Sequence, residues 1–274
     1  MCQTNSTVSI PVYDDESFTD LCICNDIYGY ATAQVSPHIW KVLQKTQGFR
    51  FSIDAVLLSH FIEPSVEKPQ RLLDLGTGSG VMPLLLAARY DKLQIDGIEL
   101  QPEIADMATR SVQYNHMEAH IQIHQQDLTQ LPKEFEQRYD YVISNPPFFQ
   151  VGTGKQNPNP QIALARHELA CTLEQLIVCA FRCLKDRGRF AMIHRAERLT
   201  EILALCQKHR LAPYRLRMIH PTLDQPANLI LLEAIKDGKN GITIMPPLPI
   251  YETTAAITSD KSTYSKEVLS YYRS

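Results

Sequence analysis

The segment Leu73-Asp74-Leu75-Gly76-Thr77-Gly78-Ser79-Gly80 constrains this chain more than any other. Arg71–Leu75 is a short apolar run of strand length, and Val81–Tyr90 beyond the glycines carries a helical apolar pattern. Glycine accepts a positive φ and lets a bound group approach the backbone. A strand, a Gly-x-Gly-x-Gly turn and a helix in that order therefore predict a ligand-binding turn at the carboxyl edge of an open α/β sheet. The rhythm continues along the chain. Further strands are expected at Gln94–Glu99, Ile121–His124, Tyr139–Ser144 and Arg189–Ile193. Helices are expected at Ala55–Ile62, Pro102–Asn115, Leu173–Leu184 and Glu197–Lys208. Pro102 suits a first helical turn, and Gly188 reads as the stop of the Leu173 helix. Tyr214–His220 and Asn228–Ala234 have no helix signal between them, so they should pair antiparallel. The sum is an α/β fold: a doubly wound sheet of seven mostly parallel strands whose last strand is antiparallel.

Three regions are expected around that sheet. Residues 1–68 read as an N-terminal extension and lid, with a short strand near Ile27–Thr32. Residues 69–240 form the main domain, and residues 241–274, with prolines at 246, 247 and 249, read as a C-terminal arm.

Three acids lie at or just beyond strand ends. Asp74 lies in the first strand, and Glu99 ends the next, 19 residues beyond Gly80, where a carboxylate can accept from both hydroxyls of a ribose. Asp127 follows the third strand, placed to accept from an adenine amino group or simply to cap an exposed turn. Leu100 and Leu128 adjoin these acids and belong to the same expected pocket. A nicotinamide dinucleotide site is the rival reading. Against it stand the Gly-x-Gly-x-Gly spacing and Asp74, which suits a cofactor with a cationic amino-acid portion better than a pyrophosphate.

Ser144-Asn145-Pro146-Pro147-Phe148-Phe149 comes directly after the fourth strand. Two prolines stiffen the chain and remove two backbone donors, leaving carbonyls free to face a ligand. The lone pair of an exocyclic base amine is conjugated and poorly nucleophilic. The Asn145 side-chain oxygen and the Pro146 carbonyl can accept its two N–H bonds, which favours a pyramidal nitrogen. Phe148 offers a stacking face for an extruded base. Asn145, Pro146, Pro147 and Phe148 are thus the expected catalytic group.

Asp74–Gly80, Glu99, Asp127 and Asn145–Phe148 together resemble the motifs of class I S-adenosylmethionine-dependent methyltransferases, over about residues 40–250. That resemblance implies a Rossmann-like sheet and S-adenosyl-L-methionine held by Asp74, Gly76, Thr77, Gly78, Gly80, Glu99, Leu100, Asp127, Leu128 and Asn145. A narrower resemblance, to bacterial tRNA1(Val) adenine-37 N6-methyltransferases, is carried by several segments. These are Phe51–Leu58, Ile143–Phe149, Ala165-Arg166-His167-Glu168, His220-Pro221, Pro226–Leu229, Glu233-Ala234, Lys236-x-Gly238-Lys239 and Pro246–Tyr251. It implies a tRNA substrate, and that Asp54 contacts the cofactor or orders its lid. One departure is Phe51-Ser52-Ile53-Asp54, which replaces a Gly-Thr-Asp type tripeptide. Guanine-N2 and protein-glutamine N5 methylation use the same motif type. A cofactor-binding RNA-interaction protein without turnover is the reading from another class.

Composition limits the partners. The net charge of −3 argues against RNA binding by bulk charge, so a local patch must do it. Lys155 and Arg166 are the expected phosphate contacts; Lys41, Lys45, Arg50, Arg215, Arg217, Lys236 and Lys239 are further candidates. Trp40 is read as partly buried packing rather than a base-stacking ring. Apolar runs such as Val81–Ala88 fall far short of the roughly 20 residues that span a bilayer, and Met1–Pro11 lacks signal-peptide features. A soluble, cytoplasmic protein with no membrane partner is expected. Seven cysteines without a leader argue against a disulfide framework; Cys179 and Cys183 share a helical face as apolar filler. His116, His120 and His124 recur every four residues but cross a helix–strand boundary, so no metal is expected.

Overall fold

Gln70–Leu75 (β3) forms the middle of the main sheet in the computed structural model, which describes residues 10–20, 40–46, 52–147, 171–239, 241–253 and 264–272. Its side chains alternate between two cores. Leu72 faces one layer with Val56, Leu58, Leu84 and Val112, whereas Leu73 and Leu75 face another with Leu176, Ile177, Ala180 and Ile202. The first layer is built by three helices, Ile53–Phe61 (α1), Val81–Ala87 (α2) and Pro102–Tyr114 (α3). The second is built by Leu173–Cys183 (α4) and Leu199–Lys208 (α5). A sheet covered on both faces explains why its strands read as continuous apolar runs.

From β3 the chain steps outward to Leu93–Glu99 (β4) and Ile121–Gln125 (β5), then returns to the other side of β3 with Tyr139–Ser144 (β6) and Leu184–Arg195 (β7). All of these pairings are parallel. Leu211–His220 (β8) and Leu229–Lys236 (β9) close the series, and β9 lies antiparallel between β7 and β8. The seven expected strands and the antiparallel last one are therefore present. Two further two-residue strands, Thr243–Ile244 (β10) and Leu248–Pro249 (β11), pair with β8 and bring the sheet to nine. Strand order reverses between β3 and β6, and the crevice at their carboxyl ends is where an open α/β sheet binds ligands.

One helix stop differs from expectation. α4 ends at Cys183, next to the expected Leu184, but Gly188 does not stop it: Leu184 is already extended and pairs with Tyr139. Gly188 lies inside β7, where an added Cβ would come within 2.9 Å of the Lys185 carbonyl and 3.2 Å of the Tyr139 carbonyl. The start of α4 is a capping box: Thr172 Oγ1 accepts from Gln175 N, and Thr172 N donates to Gln175 Oε1.

Glu16–Asp20 (β1) and Lys41–Lys45 (β2) form a separate antiparallel pair laid against α3. Arg110 grips Glu16 through two 2.8 Å bonds, Leu43 N donates to Ser111 Oγ, and the Asn115 amide brackets the Lys41 backbone. The strand expected near Ile27–Thr32 lies outside the described residues. At the other end, Lys266–Tyr271 (α6) rests on α1: Tyr271 stacks on His60, and Arg217 of β8 binds Glu267 at 2.6 and 2.7 Å.

Candidate active site

The glycine turn hangs from the neighbouring strand. Gly76 N and Thr77 N both donate to the Ile98 carbonyl, at 3.0 and 2.9 Å. Gly80 has φ 82° and directly precedes α2, so the chain enters the helix through a left-handed residue that a side chain would strain. Glu99 braces the turn from below: its Oε2 accepts from Gly78 N at 3.0 Å and its Oε1 from Gln101 N at 2.9 Å. Burial pushes the Glu99 carboxyl up, and those backbone donors oppose the shift. Each carboxylate oxygen keeps a second acceptor site. Sequence reading gave Glu99 a ligand role and missed this bracing role, which only the fold of the turn reveals.

Asp74 is fully buried, and neither of its carboxylate oxygens has a hydrogen-bond partner among the described residues. Burial pushes its pKa up to about 7, the Glu99 charge adds to the rise, and the nearby Thr77 hydroxyl lowers it. Thr77 Oγ1, close enough to influence the carboxyl, is itself buried without a hydrogen-bond partner among the described residues. Buried orphan groups of this kind are rare and call for a bound partner. An acid waiting in an apolar setting at the foot of a glycine turn fits a ligand that brings a cation.

Gly97 is a site residue that sequence reading did not single out. A Cβ there would fall 2.9 Å from Ile123 Cδ1 and 3.0 Å from both Thr77 Cγ2 and Thr77 Oγ1. Gly97→Ala is expected to destabilise the protein by about 1–3 kcal/mol through overpacking. A lowered thermal midpoint in calorimetry checks it; an unchanged midpoint would show that Thr77 yields freely.

Asn145 leaves β6 beside this turn. Ser144, fully buried, donates its Oγ–H to the Leu75 carbonyl at 2.7 Å, tying the end of β6 to the start of the glycine turn. Asn145 and Pro146 are half-buried, Pro147 is exposed, and the Asn145 side chain makes no hydrogen bond among the described residues. Phe148, Lys155 and Arg166 lie outside the described residues.

Asp127 is half-buried and caps a short turn at Leu128–Gln130. Its Oδ1 takes Thr129 N and Oγ1 at 2.8 and 2.7 Å, and its Oδ2 takes only a long 3.4 Å contact from Gln130. Oδ2 is the oxygen with room for another donor. Gln126 N donates to the Glu99 carbonyl, so the exits of β4 and β5 are held together. Leu100 is 37% exposed and Leu128 half-buried along the same edge. Asp54 lies in the first turn of α1, nine-tenths buried; burial raises its pKa, and the Ser52 hydroxyl and the Arg195 charge at the end of β7 lower it.

Several basic candidates serve the fold instead. Arg215 and Arg189 both bind Glu233, whose side chain is fully buried, at 2.6 and 2.7 Å. Arg217 is held by Glu267, and Lys236 donates to the Leu184 carbonyl while lying over the Phe181 ring. Lys45 is paired with Asp15, and Lys41 lies over Tyr114. Arg50 lies outside the described residues, and Lys239 is exposed. Trp40 packs partly buried against the core. Cys179 and Cys183 are buried in the α4 core face, and His124 is bonded to Asp96.

Comparison with known proteins fits this geometry. The methyltransferase small domain family matches residues 53–206. The tRNA1(Val) (adenine(37)-N6)-methyltransferase of Porphyromonas gingivalis is 33% identical over 189 residues, covering 67% of this chain and 73% of that protein. The protein of the same name from Yersinia pestis is 33% identical over 141 residues, covering 51% of this chain and 55% of that one. Among solved structures, a predicted O-methyltransferase from Agrobacterium tumefaciens superposes with a TM-score of 0.63 at 24% identity, covering 80% of this chain and 95% of that chain, a likeness of fold. The strand order, the glycine turn with its buried orphan acid and the family match agree: this chain belongs to the methyltransferase small domain family and is a class I methyltransferase that uses S-adenosyl-L-methionine.

Proposed function

We propose that the protein methylates the exocyclic N6 amino group of adenine in tRNA, with adenine 37 of a valine tRNA as the leading acceptor. The observation that carries this reading is the placement of Asn145-Pro146 at the switch point of the sheet, fastened by Ser144 to the glycine turn. The names of the relatives support the choice of acceptor.

The cofactor, when bound, supplies a methyl group on a positively charged sulfur, a good leaving group. Asp74, Gly76, Thr77, Gly78, Gly80, Glu99, Leu100, Asp127 and Leu128 are the residues proposed to hold it, with Asp54 at the α1 side. Asn145 and the Pro146 carbonyl accept the two amino hydrogens of the base and turn its lone pair outward. Most of the rate then comes from alignment and excluded water rather than from a strong base. Phe148 stacks on the base, and Lys155 and Arg166 contact phosphates. Residues 1–68 act as a lid, 69–240 as the methyltransferase domain and 241–274 as a bracing arm. A cytoplasmic site of action goes with the tRNA acceptor proposed, and no described helix is long and apolar enough to cross a membrane.

Incubation with methyl-labelled cofactor and unmodified bulk tRNA tests the reading. Label in tRNA, recovered as N6-methyladenosine, is the expected result. Label recovered only as N2-methylguanosine or on protein glutamine would replace it, and no transfer to tRNA, rRNA or DNA would sink it.

A further inference from the structure

Asp74 is not the only buried polar group left without a partner near the glycine turn. Gln44 of β2 is 3% exposed. Its Nε2 lies 3.5 Å from Ser79 Oγ, inside the Gly78-Ser79-Gly80 segment. Its Oε1 is buried and has no hydrogen-bond partner among the described residues. The amide therefore leans on the turn with one end and presents the other to nothing. An apolar side chain would pack there without the desolvation cost, so a buried amide with a bare end implies a partner that arrives later.

The strand that delivers Gln44 is firmly seated. Arg110 and Glu16 pair with little exposure, Leu43 N donates to Ser111 Oγ, and Asn115 holds both backbone groups of Lys41. These anchors lie on α3 or, for Asn115, at its C-terminal cap, and this is the helix whose Ala108 packs within 3.4 Å of a Cβ built on Gly80. The hairpin is thus fixed to the same helix that backs the glycine turn, although β2 lies outside residues 53–206 that match the family.

We infer that Gln44 is a cofactor-binding residue contributed from outside the family-matched region, its amide oxygen accepting a hydrogen bond from the amino group at the amino-acid end of S-adenosylmethionine. The cofactor has three kinds of donor. Glu99 ends β4 and Asp127 follows β5 farther along the edge, and the proposed cofactor site gives them the ribose hydroxyls and the adenine amine. The ammonium is the donor that remains, and Asp74, whose buried oxygens have no partner among the described residues, calls for the same cation. Asp74 supplies charge from the strand, and Gln44 supplies a neutral acceptor from the hairpin.

This inference rests on the assigned cofactor, and the test separates the two. Titration calorimetry compares S-adenosylhomocysteine, which has the amino-acid end, with 5′-methylthioadenosine, which lacks it. Gln44→Ala and Gln44→Met are both expected to weaken S-adenosylhomocysteine about tenfold and to leave methylthioadenosine unchanged, the loss of one charge-assisted hydrogen bond. Gln44→Met keeps length and volume, so it stays informative if Gln44→Ala fails to fold. Equal losses for both ligands, no loss for either, or full recovery in Gln44→Met would overturn the inference and leave a packing role. Failure of the unsubstituted protein to bind either ligand would overturn the cofactor assignment and the role of Gln44 with it.

Discussion

Asn145→Ala is expected to lower methyl transfer by roughly 10²–10³-fold, the usual loss when a positioned hydrogen-bonding group acting only on the reacting centre is removed. Affinity for S-adenosylhomocysteine should stay within a few-fold of the original. The contrast follows from where Asn145 sits. The glycine turn is held by Ile98 and Glu99, and its tie to β6 runs through Ser144, so the cofactor side keeps its supports when the Asn145 side chain is lost. The Asn145 amide makes no hydrogen bond among the described residues, so its removal breaks no bond to any of them. Single-turnover rates alongside calorimetric affinity make the comparison. Turnover that survives in Asn145→Ala would mean that the amine is positioned by something else, and a parallel loss of cofactor affinity would mean that Asn145 is mainly a cofactor ligand.

Asp74→Asn should move two quantities in opposite directions. The carboxyl of Asp74 has a folded pKa of about 7 against an ordinary 3.8, because burial disfavours its charged form. Between those values the unfolded chain has released this proton and the folded one has not, so the folded state loses stability as pH rises from 3.8 to 7. Above that window the cost is constant, roughly 4 kcal/mol. An amide cannot ionise, so Asp74→Asn is expected to raise the melting temperature of the ligand-free protein at pH 8 and to flatten its pH dependence. Cofactor binding has the opposite need. An ammonium beside Asp74 favours the ionised form, so affinity should rise with pH up to about 7, with a proton released on binding below that point. In Asp74→Asn that slope should vanish and affinity at pH 8 should fall roughly 10- to 100-fold, the range for a lost charged hydrogen bond. Calorimetry in two buffers of different ionisation enthalpy reads the proton directly. A variant that binds as tightly as the parent, with the pH slope intact, would show that Asp74 is not the group that meets the cation. A gain in stability bought with lost binding is the trade expected of a strained functional group.

The sheet was legible in the sequence because both its faces are covered. Apolar runs such as Leu229–Leu232 and Tyr141–Ile143 have no polar face to blur them, and glycines mark the functional turn. What the sequence concealed were contacts between distant segments. Glu99 and Gly78 are 21 residues apart and Ser144 and Leu75 are 69 apart, and no local pattern signals either bond. Gly97 looked like an ordinary strand residue until Thr77 was found against it. The basic residues misled for the same reason. Arg215 and Arg217 look like a surface patch in sequence, but Glu233 and Glu267 draw them inward. The end of α4 falls within one residue of the expected Leu184, but Gly188, a familiar stop signal, is not what ends it: strand pairing at Leu184 does. Gln44 sat in the stretch read only as an N-terminal extension and lid, and the packing of β2 on α3 is what gives it meaning.

The central claim is that the acceptor is an adenine amine in tRNA. Mass analysis of nucleosides from single purified tRNAs, taken from cells with and without the gene, tests it most directly. Loss of one N6-methyladenosine, confined to position 37 of a valine tRNA and restored by the intact protein but not by Asn145→Ala, is the predicted result. An unchanged N6-methyladenosine content in every tRNA of the deleted strain would contradict it.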